Sequence, residues 1–171
     1  MAGTKRRLTS ARTTSAPRKN REIVLTRTLD APRALVFRAW TDPSHLVRWW
    51  GPEGFTIPEC KMDVSEGGAW RTCMRSPDGK DYKVRGVYRE IVKPARLVFT
   101  WAWEDETGTP GHETLVTVTF AERDGKTQLR LAHRVFESKK SRDAHQQGWA
   151  STLKCLAEFL GAGRGSRSRT A

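Results

Sequence analysis

The sequence predicts one α+β domain in which a curved antiparallel sheet wraps around a long C-terminal helix. Apolar and polar residues alternate over residues 55–136, and this period of two is typical of strands with one buried face. The period becomes helical from Ser138 to about Leu160. Two short helical segments precede the run of strands. This order of elements in 171 residues fits a single domain, which we place at residues 22–160.

The domain begins with a predicted strand at residues 21–28. Asp30 is predicted to cap a first short helix, with Pro32 just inside it. A second short helix is predicted over residues 43–49, followed by Gly51-Pro52. Four side chains from this region are expected to face inward: Leu46, Val47, Trp49 and Trp50.

Six antiparallel strands are predicted after the short helices, separated by turn signals such as Pro77-Asp78-Gly79-Lys80 and Asp124-Gly125. They cover residues 56–63, 69–76, 81–92, 97–103, 113–121 and 127–136. Alternation along each strand assigns every second side chain to the inner face of the sheet. Aromatic side chains cluster on that inner face.

The C-terminal helix is predicted to run from Ser138 to about Leu160, with Gly161 ending it. Its apolar stripe consists of Trp149, Thr152, Leu153, Leu156, Phe159 and Leu160. The inner face of a curved sheet must be covered, and this helix is the only large element available. A helix laid across a curved sheet need not fill the space beneath it, so we expect an internal cavity.

The positive charge is concentrated at the two ends of the chain. The formal net charge is +12, from 31 basic and 19 acidic residues. Residues 1–21 carry seven basic side chains and residues 161–171 carry three, with no acidic residue in either segment. Residues 22–160 therefore have a net charge of only +2. This distribution disfavours a dedicated nucleic-acid-binding domain and leaves only weak, salt-sensitive contact of the tails with polyanions.

Both tails, residues 1–21 and 161–171, are predicted to be disordered. The N-terminal tail allows two interpretations. Its Arg-rich, Ser/Thr-rich and acid-poor composition fits an organellar transit peptide, and it equally fits a solvated bacterial extension, which we favour. The role of the tails stays open at this point.

Composition excludes several other classes of protein. The absence of an apolar h-region excludes a secretory signal, and no apolar run is long enough to span a membrane. Three cysteines without a CxxC motif argue against a disulfide framework and a zinc site, and no histidine has metal-ligand spacing. We therefore expect a cytoplasmic protein without membrane partner, metal or cofactor, as a monomer or a weak homodimer.

Several segments together resemble a known family. They are LDAPRALVFRAWTDPSHLVRWWGP at 29–52, SEGGAWR at 65–71, GVYREIVKPARLVFTW at 86–101, VTVTFAERDGKTQLRLAH at 116–133 and the pair Gly148-Trp149. Over residues 22–160 the chain resembles the helix-grip, START-like (SRPBCC) superfamily, and within it the branch named after the activator of the heat-shock-protein-90 ATPase. The resemblance implies a hydrophobic ligand cavity between sheet and helix. It implies no single activity, because members include polyketide cyclases, small-molecule carriers and resistance proteins.

Side chains on the predicted inner faces are the candidates for lining this cavity. Aromatic rings suit a flat apolar ligand, and the tryptophans and tyrosines add a polar tip. The candidate ligand-binding residues are Trp49, Trp70, Met74, Tyr82, Tyr88, Trp101, Trp103, His133, Trp149 and Leu153. Ordinary core packing is the alternative explanation for each of them.

His133 is the one weak catalytic candidate. It shares a strand face with Leu129 and Leu131, so its imidazole is expected to point inward, where it could act as a general base. A hydrogen-bonded core histidine is the alternative. The acidic run Glu104–Glu106 is expected to form a solvated rim.

Three functions follow as hypotheses. The first is binding of a small hydrophobic or aromatic molecule in the cavity. The second is a polyketide cyclase/dehydratase-like enzyme with His133 as proton shuttle, although the sequence contains no catalytic constellation and leaves enzymatic activity undecided. The third is a chaperone-interacting protein, which rests on the family resemblance alone.

Overall fold

The computed structural model describes residues 21–165, in which a seven-stranded sheet accompanies one long helix. The strands are β1 (Ile23–Leu29), β2 (Thr56–Met62), β3 (Ala69–Arg75), β4 (Asp81–Val92), β5 (Arg96–Trp103), β6 (Thr114–Arg123) and β7 (Lys126–Arg134). The helices are α1 (Arg33–Thr41), α2 (Pro43–Leu46) and α3 (Lys139–Gly165). The predicted α+β helix-grip architecture is confirmed.

The sheet is antiparallel throughout, in the order β1-β7-β6-β5-β4-β3-β2. Consecutive strands from β2 to β7 are neighbours, and β1 joins the sheet beside β7, so that Ile23 pairs with His133. The register shifts once between β2 and β3 and once between β4 and β5, the latter between Tyr88 and Glu90. Such irregularities bend a strand and increase its twist, which helps the sheet to curve around α3.

The core lies between the inner face of this sheet and α3. From α3, Trp149, Leu153 and Leu156 are buried, as the predicted apolar stripe requires. The Trp40 ring of α1 stacks on Trp149 with centroids 6.2 Å apart. Burial of such large rings supplies most of the apolar area that a sheet–helix interface can remove from water.

Helix ends differ from the predictions at three places. Pro32, rather than Asp30, is the N-cap of α1, because its carbonyl accepts the first helical N–H bonds. The helix α2 ends at Leu46, and Val47 is 38% exposed instead of facing inward. The helix α3 continues past Gly161 to Gly165, since Gly161 does not take the left-handed conformation that ends a helix.

Two further points bound the described part of the chain. Of the two tails predicted to be disordered, residues 1–20 and 166–171 lie outside the described residues, whereas the prediction is wrong for residues 161–165, which continue α3. Between residues 21 and 165, no helix is long and apolar enough to cross a membrane.

Candidate ligand-binding site

A cavity of about 420 Å³ lies between α3, the strands β3–β5 and the turn that follows α2. Its volume falls within the range of about 300–1,000 Å³ that is typical of small-molecule sites. The lining residues are Trp50, Gly51, Pro52, Phe55, Met74, Tyr82, Trp101, Trp103, Ala144, His145, Gly148, Trp149 and Thr152. Most of them are apolar or aromatic, and none is a carboxylate, lysine or arginine.

Four tryptophans form the aromatic wall of this cavity. The Trp101 ring is central, with centroids 5.8 Å from Trp50, 5.4 Å from Trp103 and 5.3 Å from Trp149. Trp101 and Trp103 share one face of β5 because they are two residues apart. Trp50 comes from the turn after α2 and Trp149 from α3. Tilted and edge-on ring contacts at these distances are favourable.

Gly148 leaves room in the middle of α3. A Cβ built on Gly148 would meet nothing within 4 Å in the described part of the chain, and the residue lines the cavity. Glycine in a helix interior is less stable than alanine by roughly 0.5–1 kcal/mol. Glycine at position 148 therefore lowers the stability of α3 relative to alanine. Any side chain at this position would reduce the cavity.

His145 on α3 holds the Trp103 side chain at the cavity wall. The His145 Nδ1 lies 2.7 Å from the carbonyl oxygen of Ser141, which can only accept, so Nδ1 carries the proton and donates it. The Nε2 atom accepts from the Trp103 indole N–H at 2.8 Å. Burial lowers the pKa of His145, and the ring is neutral near pH 7.

His133 on β7 is fully buried and lies outside the cavity lining. Its Nδ1 accepts from the Trp149 indole N–H at 3.0 Å. Its Nε2 lies 2.6 Å from the Thr114 hydroxyl, which donates its own proton to the Trp101 carbonyl, so Nε2 is the protonated nitrogen. Burial, and secondarily the repulsion that a protonated His145 would exert, holds the pKa of His133 well below its usual value. Both ring nitrogens of His133 are therefore engaged in hydrogen bonds that hold Trp149 and Thr114 in place.

The Trp101 indole differs from the others in the wall. Its Nε1 is buried and has no hydrogen-bond partner among residues 21–165. The Trp50 indole donates to the Thr72 hydroxyl at 3.2 Å, and Trp103 and Trp149 donate to the two histidines just described. The Trp101 Nε1 is enclosed by packed atoms rather than open to the cavity, and the buried Nε1 atoms of Trp40 and Trp70 also have no hydrogen-bond partner among residues 21–165.

Glu104, expected in a solvated rim, is buried on the opposite face of the sheet. Its side chain is 1% exposed and accepts two hydrogen bonds from Arg71, each of 2.8 Å, with Arg85 3.7 Å away. These arginines lower the pKa of Glu104. The expectation is wrong for Glu104 because this residue, just after β5, still pairs with Pro110 through a β-bridge. Asp105 and Glu106 are exposed, as expected.

Residues 30–161 match the protein family described as Activator of Hsp90 ATPase homolog 1-like protein. The match covers well over half of the chain. The chain belongs to this family. Members of this fold family commonly bind hydrophobic ligands. A comparison with functionally curated proteins finds no match.

Several solved structures have a similar fold. The AHSA1 protein from Silicibacter pomeroyi is 30% identical, with a TM-score of 0.75 over 83% of this chain and 99% of that chain. A protein from Chromobacterium violaceum is 28% identical, with a TM-score of 0.72 over 82% and 97%. A protein from Arthrobacter aurescens, at 22% identity and a TM-score of 0.76 over 90% and 93%, is similar in fold alone.

The cavity contains half of the predicted ligand-binding residues. Those that line it are Met74, Tyr82, Trp101, Trp103 and Trp149. Trp49 and Leu153, like His133, are buried in the core outside the lining. Trp70 and Tyr88 line a separate crevice of about 20 Å³. Trp50 lines both spaces. Residues on the same inner face of the sheet are therefore divided between the larger cavity and the smaller crevice.

Phe55, His145 and Gly148 line the cavity but are not among the ligand-binding residues predicted from the sequence. A usable signal existed on α3, where Ala144, Gly148 and Thr152 are spaced four residues apart and so share one helix face. Small residues on an otherwise apolar face indicate a place where the helix does not touch the sheet. Within residues 21–165, no three His, Cys, Asp or Glu side chains lie together as metal ligands.

Proposed function

We propose that the protein binds a small hydrophobic, ring-containing molecule in the cavity between the sheet and α3. The single observation that carries this proposal is an aromatic-walled cavity beneath a helix-interior glycine, Gly148. Stability alone would favour a side chain there, so space for a ligand explains the glycine better than packing does.

The chemistry of the wall supports a flat, uncharged ligand. Trp50, Trp101 and Trp149 offer ring faces and edges, and the lining includes no formally charged side chain at neutral pH. A buried ion would lose its hydration without gaining a partner. Tyr82, which is 36% exposed, lies on the lining where the cavity meets water and offers a route in.

Replacement of Gly148 tests the proposal. Gly148→Leu should place a side chain in the cavity and weaken binding of fluorene, a planar apolar probe, by roughly tenfold or more. Gly161→Leu is the matched control, because Gly161 is also a helical glycine of α3 with nothing within 4 Å of its built Cβ in the described chain, and it lies outside the cavity. Binding is measured by quenching of tryptophan fluorescence.

The two variants separate cavity filling from helix propensity. Both should raise stability, since both remove a helix glycine, but only Gly148→Leu should lose fluorene. Equal fluorene affinity in the wild type and Gly148→Leu, or no binding by the wild type, would contradict the proposed function.

No observation favours the two other hypotheses. The cyclase hypothesis needs a proton shuttle in the cavity, whereas both His133 nitrogens are hydrogen-bonded and the residue lies behind the wall. The chaperone hypothesis rests on the family name. The cytoplasmic location and the monomeric or weakly dimeric state remain predictions.

A further inference from the structure

The turn between α2 and β2, residues 51–55, forms one wall of the cavity. Gly51, Pro52 and Phe55 of this turn line the cavity. The turn is a compact unit, because the Phe55 N–H donates to the Pro52 carbonyl at 3.1 Å. Gly51 joins it to the preceding chain with a φ of 89°, a left-handed conformation that glycine adopts without strain. Loop positions of this kind can absorb the dihedral changes of a hinge.

Glu53 connects this turn to α3 at the protein surface. Its backbone N–H donates to the Ser151 hydroxyl at 2.9 Å, and its carboxylate accepts from the Lys154 ammonium group at 3.0 Å. The Glu53 and Lys154 side chains are 66% and 58% exposed. An ion pair this exposed is weak and is screened by salt, so the connection can open at low cost.

A second contact joins the sheet to α3 at a different place along the cavity. The Trp103 indole of β5 donates to His145 at 2.8 Å in a half-buried position. Ser151 lies six residues further along α3, about 9 Å along the helix axis, with Gly148 midway between the two contacts. The bond to His145 is shielded from water and the Glu53 contact is not. The turn is therefore the side of the cavity that opens more easily.

Movement of the turn widens the route into the cavity. The Phe55 ring is carried by the turn and contacts the Tyr82 ring, with centroids 6.0 Å apart. Tyr82 lies on the lining where the cavity meets water. A flat ligand cannot pass between two rings in contact, so displacement of Phe55 clears its path.

We propose that the turn 51–55 is the gate of the cavity and that Glu53 is the positioning residue that latches this gate to α3. This inference rests on the proposed function and adds how access to its site is controlled. The latch is made with and without ligand. Weakening it therefore raises the rates of ligand entry and release by the same factor and leaves the affinity unchanged.

Stopped-flow quenching of tryptophan fluorescence by fluorene measures both rates. Glu53→Gln removes the ion pair and keeps the backbone bond to Ser151, so association and dissociation should each become about twofold to fivefold faster at an unchanged dissociation constant. Glu158→Gln is the matched control. Glu158 is also an ion partner of Lys154, at 3.9 Å, but that pair lies within α3, so its loss should not change the exchange rates.

Charge exchange assigns the effect to this ion pair. Glu53→Lys and Lys154→Glu each place like charges opposite each other, and each should accelerate fluorene exchange. The double variant Glu53→Lys/Lys154→Glu restores opposite charges and should return both rates towards the wild-type values. Rates that stay fast in the double variant would contradict a latch made by this pair.

Salt tests the same contact without a substitution. Raising the salt concentration from about 0.1 M to about 1 M shortens the screening length from about 10 Å to about 3 Å and should speed fluorene exchange in the wild type but not in Glu53→Gln. Equal exchange rates of the wild type and Glu53→Gln, or a loss of affinity without faster association, would overturn the gate while leaving the proposed function intact. Failure of fluorene to bind the wild type would overturn the proposed function as well.

Discussion

At the scale of single residues, His133 and His145 place two neutral imidazoles beside the cavity with ring centroids 5.2 Å apart. Each uses one nitrogen to accept an indole N–H and the other to donate, so each fixes one tryptophan of the wall. An imidazolium has no lone pair and cannot accept these bonds. Protonation of either histidine would therefore place a charge in a buried site and break its hydrogen bond with a tryptophan of the wall.

Stability should fall as the pH is lowered from about 6.5 towards 5. The folded-state pKa values of His133 and His145 lie below the ordinary value of 6.5, so in this range the unfolded chain binds protons that the folded chain does not. Above pH 6.5 both states are neutral and the effect disappears. Each histidine contributes a slope of at most about 1.4 kcal/mol per pH unit. Urea unfolding at a series of pH values measures it.

Substitution identifies the groups responsible for this slope. His133→Gln keeps hydrogen-bonding capacity without titrating, so the slope between pH 6.5 and 5 should become shallower. His112→Gln is the control, because His112 is exposed. The explanation is wrong if His133→Gln and the wild type lose stability in parallel.

At the scale of elements, β4 and β5 approach each other unusually closely at Gly86. A Cβ built on Gly86 would lie 1.8 Å from the Thr100 carbonyl oxygen and 2.6 Å from the Trp70 Nε1. The next backbone N–H, of Val87, donates to the Thr100 hydroxyl at 3.0 Å. A strand glycine of this kind marks a site where another backbone comes close, and here it also admits the Trp70 indole.

Gly86→Ala should destabilise the fold by about 1–3 kcal/mol, because the added methyl group forces two strands and Trp70 to move. Chemical denaturation measures the loss. Gly111→Ala is the matched control, since the nearest atom to its built Cβ is the Trp103 carbonyl oxygen at an ordinary 3.5 Å. If the two variants have the same stability, the close approach at Gly86 has no energetic consequence.

At the scale of the whole molecule, the cavity and the excess charge belong to different parts of the chain. The cavity is built from residues 50–152, whereas residues 1–20 and 166–171 carry eight basic side chains and no acidic one. Their removal lowers the net charge from +12 to +4. Long-range attraction of polyanions depends on this excess and is screened by salt.

A chain truncated to residues 21–165 should keep the melting temperature and the fluorene affinity of the full chain while losing retention on heparin. The full chain should require a higher salt concentration to elute from heparin than the truncated chain. A large drop in melting temperature after truncation would show that a tail supports the domain. Unchanged heparin retention would place the polyanion-binding charge on the domain instead.

The sequence alone determined the order of elements and the sidedness of the sheet. Strand β4 occupies the predicted residues 81–92, and Trp101 and Trp149 are buried as their positions in strand and helix require. These properties follow from the spacing of apolar residues, which recur every two residues in strands and every 3.6 residues in helices. This spacing is visible in short stretches of sequence and needs no tertiary information. The resemblance then identified the family, because several characteristic segments occur together in this one chain.

Only the tertiary structure decided which inner-face residues meet the cavity. Trp70 and Trp101 have the same predicted orientation, yet Trp101 lines the larger cavity and Trp70 lines the smaller crevice. His145 and Trp103 are 42 residues apart, and their bond exists because α3 crosses β5. The position of a residue in a strand or helix predicts the direction of its side chain. It does not predict the distance from that side chain to the element packed opposite it. That distance depends on sheet curvature and on where the helix lies, and both are set by packing between segments far apart in sequence.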